Sequence, residues 1–185
     1  MVAAAAGTGF QAVRKLHVML IAVLSDDGYI SVGSGVPWDL PADRAHFRAR
    51  TAGRWLLLGH RTYSEMIGWF RDHHPLVLSE DASFVPPIGE RVETMEEAME
   101  KTLAAGVDEL VVVGGRKAFD AAMPYATHLD LTRVHTTLGS GVPFPPMDES
   151  EWTMILQMDH PADDRHAFAF TFTEWKRGSG NGSQV

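Results

Sequence analysis

Short apolar runs that stop at glycine and give way to helix-forming stretches constrain this chain more than any other feature. Trp55–Leu58 ends at Gly59, and Glu109–Val113 ends at Gly114-Gly115. Leu16–Leu24 runs into a Gly/Ser-rich loop, Ser25–Val36, long enough to be functional rather than a simple turn. Unbroken apolar runs of this length read as strands buried on both faces. Pro75–Ser79 and Thr127–Val134 add two more strands. Helices are expected over Pro41–Thr51, with proline at a favoured first-turn position, from Arg61 to Met66, over Met95–Ala105 and over Arg116–Met123. Strands alternating with helices give a largely parallel sheet with helices on both faces. Trp152–Met158 and His166–Lys176 then follow as two strands in succession, the second alternating Phe168, Phe170 and Phe172 on one side. They predict an antiparallel hairpin at one sheet edge. The fold class is α/β: one domain over residues 15–177, with a flexible N-terminal extension (1–14) and a flexible glycine-rich tail (178–185).

Composition narrows the partners. With 185 residues and 45% hydrophobic content the chain can bury a sizeable core. A formal charge of −8 argues against nucleic-acid and anionic-membrane partners, because phosphate binding wants a basic face. The absence of cysteine excludes disulfides, thiolate metal sites and cysteine nucleophiles, and fits a reducing, cytoplasmic setting. No apolar run reaches membrane-spanning length, and Ala3–Gly9 lacks the basic start of a signal peptide.

In a sheet of this kind ligands sit beyond the carboxyl ends of the strands. Two strand ends carry suitable groups. Gly59-His60-Arg61-Thr62 sets cationic and hydroxyl groups beside the exposed amides of a helix start, although Thr62 is equally an ordinary cap. Gly114-Gly115-Arg116-Lys117 repeats the pattern, with glycines that admit close backbone approach. Two such sites favour an extended diphosphate ligand, a dinucleotide, without the G-x-G-x-x-G fingerprint. Asp43 and Phe47 lie four apart and share one helix face, so Asp43 either complements the helix dipole at the surface or lines a pocket beside an aromatic ring. His73-His74 diverge in a loop, and His128, His135, His160 and His166 offer no i, i+4 ligand pair, so no metal is expected. No serine or threonine stands in a nucleophile elbow or triad pattern.

The order of these segments, with Pro37-Trp38-x-Leu40-Pro41-x-Asp43-x-x-x-Phe47, Gly59-x-x-Thr62, Gly114-Gly115 and Leu131-Thr132, resembles the dihydrofolate reductase family over about Leu16 to Arg177. The resemblance implies NADPH-dependent hydride transfer to the pterin ring of dihydrofolate. Asp43 would bind the amidine-like edge of the ring and favour its protonation. Thr132 would bond this acid, and Trp38 would stand near it. Phe47 would pack on the ligand, in a pocket shared with Val23, Met66 and Val113. Residues 25–36 would form the mobile loop closing over the nicotinamide, with Ala22, Ser31 and Phe119 on the cofactor side. Gly59, His60, Arg61 and Thr62 would meet one phosphate, Gly114, Gly115, Arg116 and Lys117 the other, and Ser79 the adenosine end. Arg61 and Lys117 favour NADPH over NADH, which Glu80 opposes. Hydride transfer is expected to slow above neutrality, and a monomer is favoured.

Departures from the family concern the substrate's glutamate tail. The arginine that usually grips its α-carboxylate is replaced by His73, and Arg44 occupies a position normally apolar. Either Arg44 or Arg71 takes over the carboxylate, or the substrate lacks such a tail. Phe119 stands where a tyrosine is usual, and His60-Arg61 where a basic pair is usual. Two alternatives remain. Ser25-Asp26-Asp27-Gly28-Tyr29-Ile30 resembles a turn of the riboflavin-pathway pyrimidine reductases of the same fold. A binding protein that sequesters a pterin without turnover is the other.

Overall fold

The computed structural model describes residues 15–33 and 35–178, so the expected N-terminal extension, and the tail beyond Gly178, lie outside the described residues. In chain order the elements are β1 (His17–Ser25), β2 (Tyr29–Ser31), α1 (Pro41–Thr51), β3 (Trp55–Gly59), α2 (His60–Met66), β4 (His74–Leu78), β5 (Glu90–Val92), α3 (Met95–Ala104), β6 (Glu109–Gly114), α4 (Arg116–Ala122), β7 (His128–Val134), β8 (Val142–Pro143), β9 (Trp152–His160) and β10 (Phe170–Arg177). Short 3₁₀ turns cover Met123–Tyr125 and Glu149–Glu151.

Eight strands form one sheet in the order β5-β4-β3-β6-β1-β7-β10-β9. The first six are parallel; β10 and β9 run antiparallel at the far edge. The expected α/β architecture therefore holds. Side-chain alternation divides the core. Val18, Leu20 and Leu24 of β1 join Leu110, Val112, Leu129 and Leu131 on the face covered by α3 and α4. Met19 and Ile21 join Leu56, Leu58, Val77 and Val111 on the face of α2, and Val134, Phe170 and Phe172 pack beneath the start of α1.

Three expectations are corrected. The loop after β1 is not wholly irregular, because Tyr29–Ser31 pairs with Val142–Pro143 in a separate two-stranded ribbon. Glu90–Val92 is a strand that its composition conceals, with only Val92 buried. Finally, β10 starts at Phe170 rather than His166. Residues 163–166 make a tight backbone bridge, and Phe168 lies outside the strand and is exposed while Phe170 and Phe172 are buried.

Candidate active site

The parallel strands end at one edge, and a cleft of about 1540 Å³ opens there. Ala22 and Val23 of β1 lie in its floor, with Val113 at the end of β6 and Ser79 just beyond β4. Asp43, Arg44 and Phe47 of α1 form one wall with Met66 of α2. Ser31 contributes from the loop above. The opposite arm is lined by Gly59, His60, Arg61 and Thr62, and by Gly114, Gly115, Arg116, Lys117 and Phe119.

Helix α1 starts where Pro41 predicts, and this places Asp43 in its first turn facing inward. Burial pushes its carboxyl above the usual carboxylate range, opposed by a hydrogen bond from Thr132 and by nearby His46, and reinforced by Asp130. Thr132 itself is 2% exposed on β7 and lies beneath the cleft wall rather than in it. Trp38 is not among the residues that line the cleft; it packs with Val23 and Leu40, and its Nε1 is buried without a protein acceptor.

Sequence reasoning missed what lies behind Asp43. Asp130, 1% exposed, is two residues before Thr132 and so on the same strand face. It accepts from His46 Nε2 (2.8 Å) and pairs with Arg50 Nε (2.7 Å). Both partners belong to α1, so a buried anion clamps the Asp43 helix to β7. Strand periodicity offered the signal, since His128, Asp130 and Thr132 share one face of β7 while Leu129 and Leu131 share the other. The hydrogen bond to Asp130 raises the pKa of His46 above 6.5, against desolvation. A histidine raised by its partner adds stability in full below its unfolded value and loses it as pH rises through the folded one. The deficit in Tm of His46→Gln is therefore expected to be largest below pH 6.5 and to shrink as pH rises past the raised value; a deficit independent of pH would contradict this.

At the cofactor arm, the loops after β3 and β6 abut. A Cβ on Gly115 would stand 3.1 Å from Thr62 Oγ1, and one on Gly114, at φ +113°, would meet the Phe119 ring at 3.1 Å. Neither α2 nor α4 has a side-chain cap, so their first amides face the cleft without side-chain acceptors. Arg116 is held by Asp120 (2.6 Å) and the Pro143 carbonyl (3.0 Å), and Lys117 lies 3.9 Å from Glu80. Arg61 reaches Glu65 (3.4 Å) and donates to the carbonyl of Gly33 in the loop over the cleft.

The substrate-arm expectations divide. Arg44 lines the cleft and pairs with exposed Asp39. Arg71 does not line it: its guanidinium donates to the carbonyls of Gly68 (3.1 Å) and Phe70 (3.2 Å), turning back on its own loop. His73 packs its ring on Trp69 at 4.4 Å, and burial lowers its pKa. Arg48, one helical turn after Arg44, lines the cleft and was missed, as was Trp69, whose ring meets Phe47 at 5.2 Å. Helix spacing from Arg44 would have found Arg48.

The histidines also gather where helical spacing could not show it. His160, Asp163 and His166 bring ligand atoms within 4.8 Å of one another in the turn between β9 and β10. Among the described residues, no helix is long and apolar enough to cross a membrane.

Comparison with known proteins adds an independent line. A profile of the family described as dihydrofolate reductase matches residues 17–177. The chain is 33% identical over 140 residues to the dihydrofolate reductase of Mycobacterium tuberculosis, covering 73% of this chain and 83% of that one. It is 27% identical over 161 residues to the dihydrofolate reductase of Neisseria gonorrhoeae, covering 86% and 98%. Among solved structures, the dihydrofolate reductase from Enterococcus faecalis complexed with NADP(H) and RAB-propyl superposes with a TM-score of 0.77 at 23% identity, over 88% of this chain and 96% of that one. With its residues 17–177 matched and its strand order and cleft in hand, this chain belongs to the dihydrofolate reductase family.

Proposed function

We propose that this protein, an NADPH-dependent oxidoreductase of the dihydrofolate reductase family, reduces dihydrofolate to tetrahydrofolate with Asp43 managing the proton at the pterin ring. One observation carries this reading: Asp43, whose carboxyl is raised in pKa by burial and bonded by Thr132, lines the same cleft as Gly114 and Gly115. A carboxyl in such surroundings binds strongly to a planar partner offering two parallel donors, and it favours that partner's protonated form.

The residues present fit the cofactor. Gly114 and Gly115 let the loop after β6 close on Phe119 and Thr62, which a Cβ would crowd, and the uncapped starts of α2 and α4 line the same cleft. Arg61, Arg116, Lys117 and Thr62 would hold the diphosphate and the 2′-phosphate, with Ser79 at the adenosine end; Glu80 beside Lys117 opposes the latter charge. The cofactor, when bound, supplies the hydride. Asp43 then holds the ring edge and keeps a proton close to it, Thr132 fixes the carboxyl, and Phe47 packs on the ring. Residues 25–36, tethered through Tyr29–Ser31, exclude water from the transfer. Loss of reduced-nicotinamide absorbance on mixing protein, NADPH and dihydrofolate tests this reading. Ligand binding with no turnover would favour a sequestering protein, and reduction of a ribosylamino-pyrimidine phosphate but not dihydrofolate would favour the riboflavin-pathway relatives. A monomer working in the cytoplasm accompanies this reading, and light scattering of the purified chain tests the first part.

Arg44 is the residue we assign to the tail carboxylate, since it lines the cleft and Arg71 does not. Arg44→Ala is expected to raise the KM for dihydrofolate by about tenfold, in keeping with loss of one charge-assisted hydrogen bond, and to leave that for an untailed dihydropterin unchanged. Arg71→Ala is expected to leave both unchanged. An Arg44→Ala variant with an unaltered dihydrofolate KM would remove the assignment.

A further inference from the structure

Helix α1 begins without a cap of its own. Its N-cap is Leu40, which has no side-chain acceptor, and Pro41 brings no amide hydrogen. The next amide, that of Ala42, immediately precedes Asp43. Its N–H donates to Nε2 of His166, 124 residues away, at 3.1 Å. His166 is 4% exposed, inside the turn between β9 and β10.

We propose that His166 is a positioning residue for the Asp43 helix, capping its first turn through Nε2, and that Asp163 locks the imidazole in the tautomer able to do so. The proton inventory leaves little choice. A nitrogen that accepts from an amide must present a lone pair, so the proton sits on Nδ1. Nδ1 lies 2.7 Å from Asp163 Oδ1, to which it donates. The Arg165 amide donates to the same oxygen at 2.8 Å, and this bond together with His166 keeps the Asp163 carboxyl below its ordinary pKa, hence ionised. Backbone bonds between Asp163 and His166 close the turn (3.0 and 3.1 Å), so carboxylate and ring are fixed relative to one another. His160 packs edge-on against the ring at 4.5 Å and donates its own Nδ1–H to the Pro161 carbonyl.

The same bonds dispose of a metal at this cluster. A cation on His166 Nδ1 would drive the ring proton to Nε2 and aim it at the Ala42 N–H. Metal and cap exclude each other, and the cap is what the side chains are arranged to make. Asp43 is thereby fixed twice: Thr132 bonds its carboxyl, and His166 holds the backbone one residue before it. Loss of the acceptor frees the first turn, and displacement of a reacting group by about 1 Å costs on the order of a hundredfold in rate.

This inference rests on the role proposed for Asp43, and the experiment separates the two. Wild-type turnover of dihydrofolate tests that role. His166→Leu, which fills the space without an acceptor, tests the cap, and His166→Gln, whose Oε1 is as many bonds from Cβ as Nε2, tests rescue. His166→Leu is expected to slow single-turnover hydride transfer by about tenfold or more, with the NADPH Kd unchanged within about twofold, and His166→Gln to recover most of the rate. Nitrogen-15 NMR of the wild-type ring is expected to find Nδ1 protonated and Nε2 bare. The cap assignment is overturned if folded His166→Leu transfers hydride at the wild-type rate, if His166→Gln is no better than His166→Leu, or if Nε2 carries the proton. The NMR measurement decides the tautomer even where His166→Leu does not fold.

Discussion

Replacing Asp43 by asparagine is expected to lower dihydrofolate turnover at neutral pH by roughly 10²- to 10⁴-fold, the range supplied by one positioned acid–base group, while raising the melting temperature of the unliganded protein. The two effects share a cause. Burial lifts the Asp43 carboxyl above its reference value of 3.8. A carboxyl whose folded pKa is raised binds its proton more tightly in the folded chain than in the unfolded one. Stability is therefore lost as pH rises from the unfolded value through the folded one, and the loss persists at neutrality. Asparagine keeps the shape and a partner for Thr132 but carries no charge to desolvate. Its Tm should exceed that of the wild type at neutral pH, and the gap should close in acid. Hydride transfer in the wild type should decline as pH climbs past neutrality, and the asparagine variant should lose that dependence. Turnover near normal in Asp43→Asn, or a lowered Tm at neutral pH, would show that the carboxyl is not a desolvated, proton-managing group.

Gly141→Ala should cripple the loop over the cleft and spare the rest of the molecule. Gly141 sits at φ +150°, and a Cβ there would stand 2.2 Å from the Ser31 carbonyl oxygen and 3.5 Å from the Tyr29 ring. Both contacts lie where β2 pairs with β8. This small ribbon is the loop's tether, along with the Phe144 amide on the Gly28 carbonyl (2.8 Å) and Asp27, whose carboxylate accepts from the Leu138 and Gly139 amides. An alanine forces the ribbon apart, and Ser31 moves away from the cofactor arm. The hydride-transfer rate is expected to fall on the order of ten- to a hundredfold, as for other displaced positioning groups. Tm should change little, because neither β2 nor β8 belongs to the eight-stranded sheet. Stopped-flow transfer rates paired with limited proteolysis of residues 25–36 would measure this. A variant with wild-type transfer would mean that the ribbon does not govern the loop.

Much of this was legible in the chain, for reasons that differ by residue. Proline fixed the start of α1, so its boundaries agree with the expected Pro41–Thr51 at both ends. The central strands announced themselves by apolar runs stopped at glycine, because both of their faces are covered. By contrast β5 is three residues long at an exposed edge, and a single buried valine gives no period to find. Arg71 was misjudged because an exposed loop can turn a long side chain back on its own carbonyls, which no spacing rule anticipates. Thr132 came into view through the family resemblance alone, whereas Asp130 lay open to strand periodicity. His166 and Ala42 meet across 124 positions, and only the completed hairpin brings them together.

The central place of β1 also bears on how the chain is assembled. Its two neighbours are β6 and β7, paired through Val18 with Leu110 and through Leu20 with Leu129. The earliest strand of this sheet to be synthesised is thus among the last to be enclosed, since its partners follow it by about ninety residues or more. Until then a nine-residue, largely apolar strand with both edges open waits for company. Such distant pairings slow folding and expose the nascent chain to aggregation. Ala22 and Val23 ride on that strand, so the floor of the cleft cannot exist before β6 and β7 have closed around it.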